Sequence, residues 1–338
     1  MRSSIMVSPG RIEFREIEKP VLRPGQVLLK ITRIGICGSD VHVYHGRHPF
    51  TSYPVVQGHE FSSVVAEVGG GVEGIRPGMK VTATPQVVCG RCAPCRRGDY
   101  NICNELKVWG FQASGVGQDY FAVEAGKVVI LPDDFTDEMG ALVEPLAVAV
   151  HSTSRAGDLR RKNVVVTGAG PIGNLVAQVC SSRGANVLIA DLSEFRLGIA
   201  RKCGIQGAAN VSSEPLAAAS ARVFGAQGFD AALECSGSQG AISDLVANVN
   251  KGGRIMVVGV FQEKPAIDMA VVGDRELSLA GSLMYLKPDF EEAVKLLGRG
   301  EISTAPLDSR HFPFSEFPAA YRFIEESKDR TMKVFIDL

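Results

Sequence analysis

Four cysteines stand close together at Cys89, Cys92, Cys95 and Cys103, in the run CGRCAPCRRGDYNIC, out of eight in a chain of 338 residues. Four thiolates at spacings of two, two and seven residues can close a tetrahedron around zinc, and one loop can supply them all. Such a closed site leaves no coordination position for a reactant, so its role is structural. Other metal-binding residue types lie elsewhere. GICGSDVHVYHG carries Cys37, Ser39, Asp40, His42 and His45, with His48 just beyond; VVQGHEF carries His59 and Glu60; LVEPLAVAVH carries Glu144. A thiol, an imidazole and carboxylates from distant stretches can leave one position open, as a catalytic zinc requires. Each also has a plain structural reading: Cys37 as a small core residue, His59 as a hydrogen-bonded turn residue, Glu144 as a solvated helix residue.

A third arrangement suits a dinucleotide. Gly168, Gly170 and Gly173 form GAGPIG, with Pro171 and Ile172 between them, directly after the strand-like NVVVT and before a helical pattern. Asp191 closes the next apolar run, NVLIAD. In this setting Gly168 allows the tight turn, Gly170 the approach of a pyrophosphate, and Gly173 the packing of helix on sheet. Asp191 accepts hydrogen bonds from a ribose and repels a 2′-phosphate, which favours NAD over NADP. Arg196, five residues on, is the one nearby cation that could work against that preference.

These residues need two kinds of scaffold. The first 135 or so residues read as short strands separated by Gly and Pro turns, a β-rich, barrel-like domain. Asp137 onward is apolar at helical spacing, with Thr136 as N-cap. Strands and helices then alternate from Asn163, which implies a doubly wound parallel sheet. The closing MKVFIDL comes too late for that sheet and is expected to return to the first domain. Lys and Arg number 36 against 37 Asp and Glu, a net charge of −1, which gives no field for nucleic acid or an anionic membrane. The amino-terminal stretch has no apolar signal region, and no run is long enough to span a bilayer. A cytoplasmic setting, where thiols stay reduced, follows as the expectation.

GICGSDVH, GHE, the four-cysteine lobe, EPLAVAVH and GAGPIG occur in one order over nearly the whole chain. The sequence thereby resembles the zinc-dependent medium-chain dehydrogenase/reductase superfamily, especially its polyol and sugar-acid dehydrogenases of the sorbitol, L-idonate and L-gulonate 5-dehydrogenase types. It is also similar to L-threonine 3-dehydrogenase. The resemblance implies a GroES-like catalytic domain (1–137 and 286–338) with a structural zinc lobe (89–103), and a Rossmann NAD-binding domain (138–285). It implies a catalytic zinc on Cys37, His59 and Glu144, with Glu60 either a direct ligand or an outer partner. It places the four-cysteine zinc at Cys89, Cys92, Cys95 and Cys103, making two zinc ions per chain. Ser39 would take the alcohol proton and His42 relay it to solvent. Cys235, Ser236, Val258 and Gly259 would border the cofactor. A small-molecule alcohol substrate and a homodimer or homotetramer, paired through the strand in ELSLAGSLM, are likewise implied.

The chain departs from the sorbitol enzymes at SLMYLK, where Met284 stands in place of a substrate-contacting arginine; Tyr285 keeps its place. Arg47 and His48, in the basic stretch HGRHPFTSYP, are candidates to meet a substrate carboxylate. The reading is thus oxidation of a secondary alcohol on a polyol, sugar acid or cyclitol, with hydride passing to NAD. The alternatives are a threonine dehydrogenase and a non-catalytic zinc-containing regulatory or nucleic-acid-binding protein. Against the latter stand the balanced charge and the absence of a second His or Cys pair for a recognition helix.

Overall fold

The computed structural model describes all 338 residues. Contacts divide the chain into two units: Met1–Glu144 with Leu286–Gly298 and Asp308–Leu338, and Pro145–Tyr285 with Arg299–Leu307.

The first unit is built on a seven-stranded sheet. Its spine is the strand Gln26–Gly35, which pairs antiparallel with Glu60–Val68, with Tyr120–Glu124 and with the terminal strand Lys333–Asp337. Apolar residues such as Val27, Leu28, Leu29 and Ile31 bury both faces of that spine, so its sequence lacks the strict alternation of a half-exposed strand. The terminal strand is equally buried from Lys333 to Ile336. It brings Phe335 opposite Gly35, and Gly35 in turn lies opposite Glu60. Three segments far apart in sequence therefore converge at one end of the spine.

The second unit is a six-stranded, wholly parallel sheet. Its order is Gly207–Asn210, Asn186–Asp191, Asn163–Thr167, Ala231–Glu234, Arg254–Val257, Ser278–Gly281. Chain order reverses between Asn163–Thr167 and Ala231–Glu234, the switch point at which such sheets open a crevice for a ligand. Ser278–Gly281 is an edge strand.

The boundary differs from the expected 137/138. The helix Asp137–Arg155 starts at Thr136, whose hydroxyl accepts from the Met139 amide at 3.3 Å. Its first two turns stay with the first unit because Ala141 and Leu142 are buried against Phe335. The division falls at Pro145, inside this helix. Residues 299–307, expected in the first domain, belong to the second: the Ser303 amide donates to Gln178 Oε1 at 2.7 Å, and the Gln178 side chain donates back to the Ser303 carbonyl.

Candidate active site

Strand ends supply the first cluster. Cys37 follows the spine directly, at the N-cap of the helix Gly38–Tyr44; His59 and Glu60 open the neighbouring strand. One ligand atom each of Cys37, His59 and Glu60 lies within 4.8 Å of the others. Gly35 makes this possible: a Cβ there would stand 2.6 Å from Glu60 Oε2. Glu144, expected as a ligand beside Cys37 and His59, is buried but outside that tight cluster; its negative charge still acts on His59 and on Lys333.

The donors are oriented from behind. Asp40 accepts from the Cys37 amide at 3.0 Å, and its Oδ1 lies 3.6 Å from His59 Nδ1. At that separation the carboxylate acts on the ring through its charge, and His59 Nδ1 is buried without a hydrogen-bond partner. Burial alone would lower the His59 pKa; Asp40, then Cys37 and Glu144, outweigh it and hold it well above the usual histidine range. Burial also raises the Asp40 carboxyl, which the charge on His59 only partly offsets. Gln57 donates to the Asp40 carbonyl at 3.1 Å and accepts from the Tyr321 hydroxyl at 2.7 Å.

Glu60 has a buried counter-ion. Lys333 Nζ stands 2.6 Å from its Oε2, with side chains 3% and 1% exposed, and also donates to the Ile36 carbonyl at 3.3 Å. Desolvation lowers the Lys333 pKa, but Glu60 and Cys37 overcome it and the net shift is upward. Glu60 Oε1 remains buried with no hydrogen-bond partner. An anionic oxygen without a partner in the interior is costly unless a cation completes it. Thiol, imidazole and carboxylate together are a zinc donor set, so these residues fit that ion.

Ser39 and His42 lie three residues apart on the helix Gly38–Tyr44 and share one face. Desolvation, with Arg47 and His45 nearby, presses the His42 pKa down, so its ring is a neutral proton acceptor at pH 7. His45 pairs instead with Glu325 at 2.8 Å. Arg47 is exposed, and its backbone amide donates to the His42 carbonyl at 2.8 Å. His48 is half-buried, stacked on Phe111.

The four-cysteine loop is compact. Cys92 caps the short helix Ala93–Arg97, and all four sulfurs lie within 4.8 Å of one another. The Cys103–Cys89 and Cys103–Cys92 sulfur separations are 3.5 and 3.9 Å. A tetrahedron of zinc–sulfur bonds of about 2.3 Å sets its sulfurs about 3.8 Å apart, whereas a disulfide needs about 2.0 Å. Amides of Cys89 and Glu105 point at Cys103 Sγ, and that of Cys92 at Cys89 Sγ. The Cys95 and Asn104 amides draw the Cys92 thiol down to about 6, while desolvation and the neighbouring sulfurs push Cys95 up to about 12. Four thiols so close cannot all ionise without a cation between them, and these residues also fit zinc.

In the second unit, the helix Pro171–Ser182 begins at Gly170, immediately after the Gly168 turn. A Cβ on Gly173 would stand 1.7 Å from the Gly168 carbonyl, so no other residue allows this turn. Asp191 is tied to the same turn: it accepts from the Ala169 amide at 2.5 Å and the Ser193 amide at 2.8 Å. Arg196 Nη1 lies 3.9 Å from the position of a Cβ on Gly170, and its Nε is buried without a partner. Across the switch point, the buried carboxylate of Glu234 accepts from the amides of Ser236 and Gly237, and the amides of Val258 and Gly259 donate to its carbonyl. Cys235 is half-buried, and desolvation with the Glu234 charge raises its pKa well above the usual thiol range. A helix N-terminus, a cradle closed to any Cβ and an acid at the end of the next strand fit a dinucleotide. Tyr285, a candidate substrate contact, is fully buried, while Met284 beside it adopts a left-handed φ of 49° and Leu283 is exposed.

Sequence reasoning missed Lys333, Gln57 and Tyr321, and gave Asp40 no role. Asp40 had a signal in its place three residues after a helix-starting Cys37, and Lys333 in being the one cation in the mostly apolar terminal strand.

A cluster of thiol, imidazole and carboxylate, a closed four-thiol site and a parallel sheet with a glycine-rich turn before a helix define a metal-dependent dehydrogenase. Residues 23–133 match the family described as alcohol dehydrogenase GroES-like domain, and 171–299 that described as zinc-binding dehydrogenase. The chain is 36% identical to 2-dehydro-3-deoxy-L-galactonate 5-dehydrogenase of Pseudoalteromonas atlantica, over 92% of each chain. It is 35% identical to L-threonine 3-dehydrogenase of Idiomarina loihiensis over 94% of each, and 34% to sorbitol dehydrogenase of Halalkalibacterium halodurans over 97% of each. Among solved structures it is similar to a short chain alcohol dehydrogenase of Escherichia coli CFT073 complexed with NADH (TM-score 0.92, 30% identity, covering 100% of this chain and 99% of that one). It is also similar to L-idonate 5-dehydrogenase of Escherichia coli K-12 (TM-score 0.91, 27% identity, covering 100% and 98%). The chain belongs to the zinc-binding dehydrogenases, with their GroES-like and Rossmann-type domains. No helix is long and apolar enough to cross a membrane.

Proposed function

We propose that this protein oxidises a secondary alcohol of a polyol, sugar acid or cyclitol to a ketone, passing hydride to NAD. The observation that carries this reading is the Cys37, His59, Glu60 cluster, whose buried Glu60 Oε1 has no partner in the protein. Sugar-acid and polyol dehydrogenases among the relatives support the substrate class, and the NADH complex of a structural neighbour supports the cofactor.

Cys37, His59 and a carboxylate, Glu144 or Glu60, would hold the catalytic zinc, and Cys89, Cys92, Cys95 and Cys103 the structural one. A bound zinc supplies Lewis acidity, lowering the pKa of an alcohol toward neutrality. Asp40 sets its charge against the His59 ring, and Lys333 holds Glu60 by one oxygen. Ser39 accepts the substrate hydroxyl proton and His42, held neutral, takes it on toward solvent. The turn at Gly168–Gly173 seats the pyrophosphate, and Asp191 orients the ribose while rejecting a 2′-phosphate. Cys235, Ser236, Val258 and Gly259 border the nicotinamide side, and Arg196 lies beside the adenosine. We place the enzyme in the cytoplasm, in keeping with its eight free cysteines, and as a homodimer or homotetramer joined at the edge strand Ser278–Gly281.

The test is NADH formation at 340 nm across polyols, aldonates, inositols and threonine. Turnover of a polyol, aldonate or inositol is the expected result. Turnover of threonine alone overturns the substrate class, and no turnover of any alcohol overturns the activity.

A further inference from the structure

The stretch after the helix Gly38–Tyr44 holds one ring in an unusual setting. His48 stacks face to face on Phe111, with centroids 4.6 Å apart and planes 10° from parallel. Phe111 in turn packs against the ring of His59, at 4.9 Å. His48 therefore sits two ring contacts from a residue of the metal cluster. Its Nδ1 is engaged by the Thr51 hydroxyl at 2.7 Å. Stack and hydrogen bond together fix both the plane of the ring and its rotation within that plane, which leaves Nε2 for another partner. Phe50, 72% exposed, stands edge-on to the same ring at 6.2 Å and adds an apolar rim.

A ring this constrained has lost its rotamer entropy on folding, and so it can make a directional hydrogen bond at little further entropic cost. The chemistry of that bond follows from the charge on the ring. Desolvation, together with the nearby charges of His42 and His59, lowers the His48 pKa below the ordinary value. A neutral imidazole offers a single donor or acceptor at Nε2, which suits a hydroxyl; a carboxylate would call for a cation.

We propose that His48 is a specificity residue whose Nε2 binds a second hydroxyl of the substrate, a few carbons or fewer from the one oxidised, so that diol and polyol chains are favoured over simple secondary alcohols. This rests on the alcohol dehydrogenase reading above and narrows its substrate class at that end of the chain to a neutral polyhydroxy group. The exposed apolar rim of Phe50 would accept a hydrocarbon chain equally well; the nitrogen of His48 adds the discrimination.

A matched pair of alcohols tests it: 2,3-butanediol and 2-butanol, which differ by one hydroxyl, assayed with zinc-replete enzyme and NAD. Wild type should show the higher kcat/KM for the diol. His48→Phe keeps an aromatic ring on Phe111 and removes the nitrogen; it should cut the diol-to-butanol ratio by about 3- to 10-fold, the value of one neutral hydrogen bond, chiefly through KM for the diol. His48→Gln, which retains a polar group, should recover part of the ratio. Thermal unfolding and zinc content establish that each variant is folded, and if His48→Phe fails to fold, His48→Ala and His48→Gln are read in the same way. An unchanged ratio in the variants, or a wild type that oxidises 2-butanol without favouring the diol, overturns the role of His48 and leaves the dehydrogenase reading standing. Absence of NADH from every secondary alcohol overturns both.

Discussion

Replacing Lys333 with Met removes one member of an ion pair whose side chains are 3% and 1% exposed and 2.6 Å apart. At an effective dielectric of about 20, charges at that separation attract by about 6 kcal/mol. Part of this is offset in wild type by the desolvation of both groups, and breaking a buried pair at one end costs about 3–5 kcal/mol, because the remaining charge stays buried. Met fills much of the volume of the lysine stem, so little of the loss comes from a cavity. In a unit of this size each kcal/mol moves the melting temperature by about 2–4 °C, so Lys333→Met should lower that of the first unit by about 6–20 °C. Calorimetry at fixed free zinc, which keeps the metal's contribution constant, is the assay. Glu60→Gln should cost a comparable amount, since it leaves the Lys333 ammonium buried without its carboxylate. The double variant should be clearly more stable than the sum of the two losses predicts, with a coupling of at least about 2 kcal/mol. A Lys333→Met variant within about 1 kcal/mol of wild type, or strictly additive losses, would refute the argument that this pair secures the metal cluster from behind.

Three further outcomes are expected. Gly173→Ala forces a Cβ onto the Gly168 carbonyl, so NADH binding, followed by its fluorescence, should weaken by at least about tenfold; unchanged binding would remove the turn from the phosphate site. Asp191→Ser removes the charge that repels a 2′-phosphate and should raise the kcat/KM for NADP relative to NAD, and an unaltered ratio would take Asp191 off the ribose. His311 is held by Asp308 at 2.8 Å and Asp337 at 3.2 Å, and although burial opposes it these carboxylates raise its pKa. A raised native pKa means the contribution is complete below the ordinary histidine value near 6.5 and fades as pH climbs through the native one. The wild-type melting temperature should therefore fall, relative to His311→Gln, as pH rises above about 6.5, and parallel profiles would refute the linkage.

The second unit was legible in the sequence because its signals are local. A strand, a glycine turn and a helix succeed one another within Asn163–Ser182, and the acid that orients the turn ends the next strand. The four-cysteine loop was legible for the same reason. The first unit was harder. Cys37 and His59 could be named, but what holds them could not be, since Lys333 reaches Glu60 only through the pairing of Lys333–Asp337 with Gln26–Gly35. Spacing gives no hint that residue 333 faces residue 60. The division within the helix Asp137–Arg155 was hidden too: its apolar periodicity runs on unbroken, and only the packing of Ala141 and Leu142 on Phe335 assigns its first turns. His48 read as a basic loop residue because sequence shows neither the burial that lowers its pKa nor the stack on Phe111 that fixes its ring.

Anomalous scattering at the zinc edge from crystals of the zinc-replete protein tests the central claim most directly. Two peaks per chain are predicted: one inside the four sulfurs of Cys89, Cys92, Cys95 and Cys103, the other touching Cys37 Sγ and a ring nitrogen of His59. A lone peak in the cysteine loop, with the Cys37, His59 and Glu60 side chains turned away from one another at saturating zinc, would contradict it.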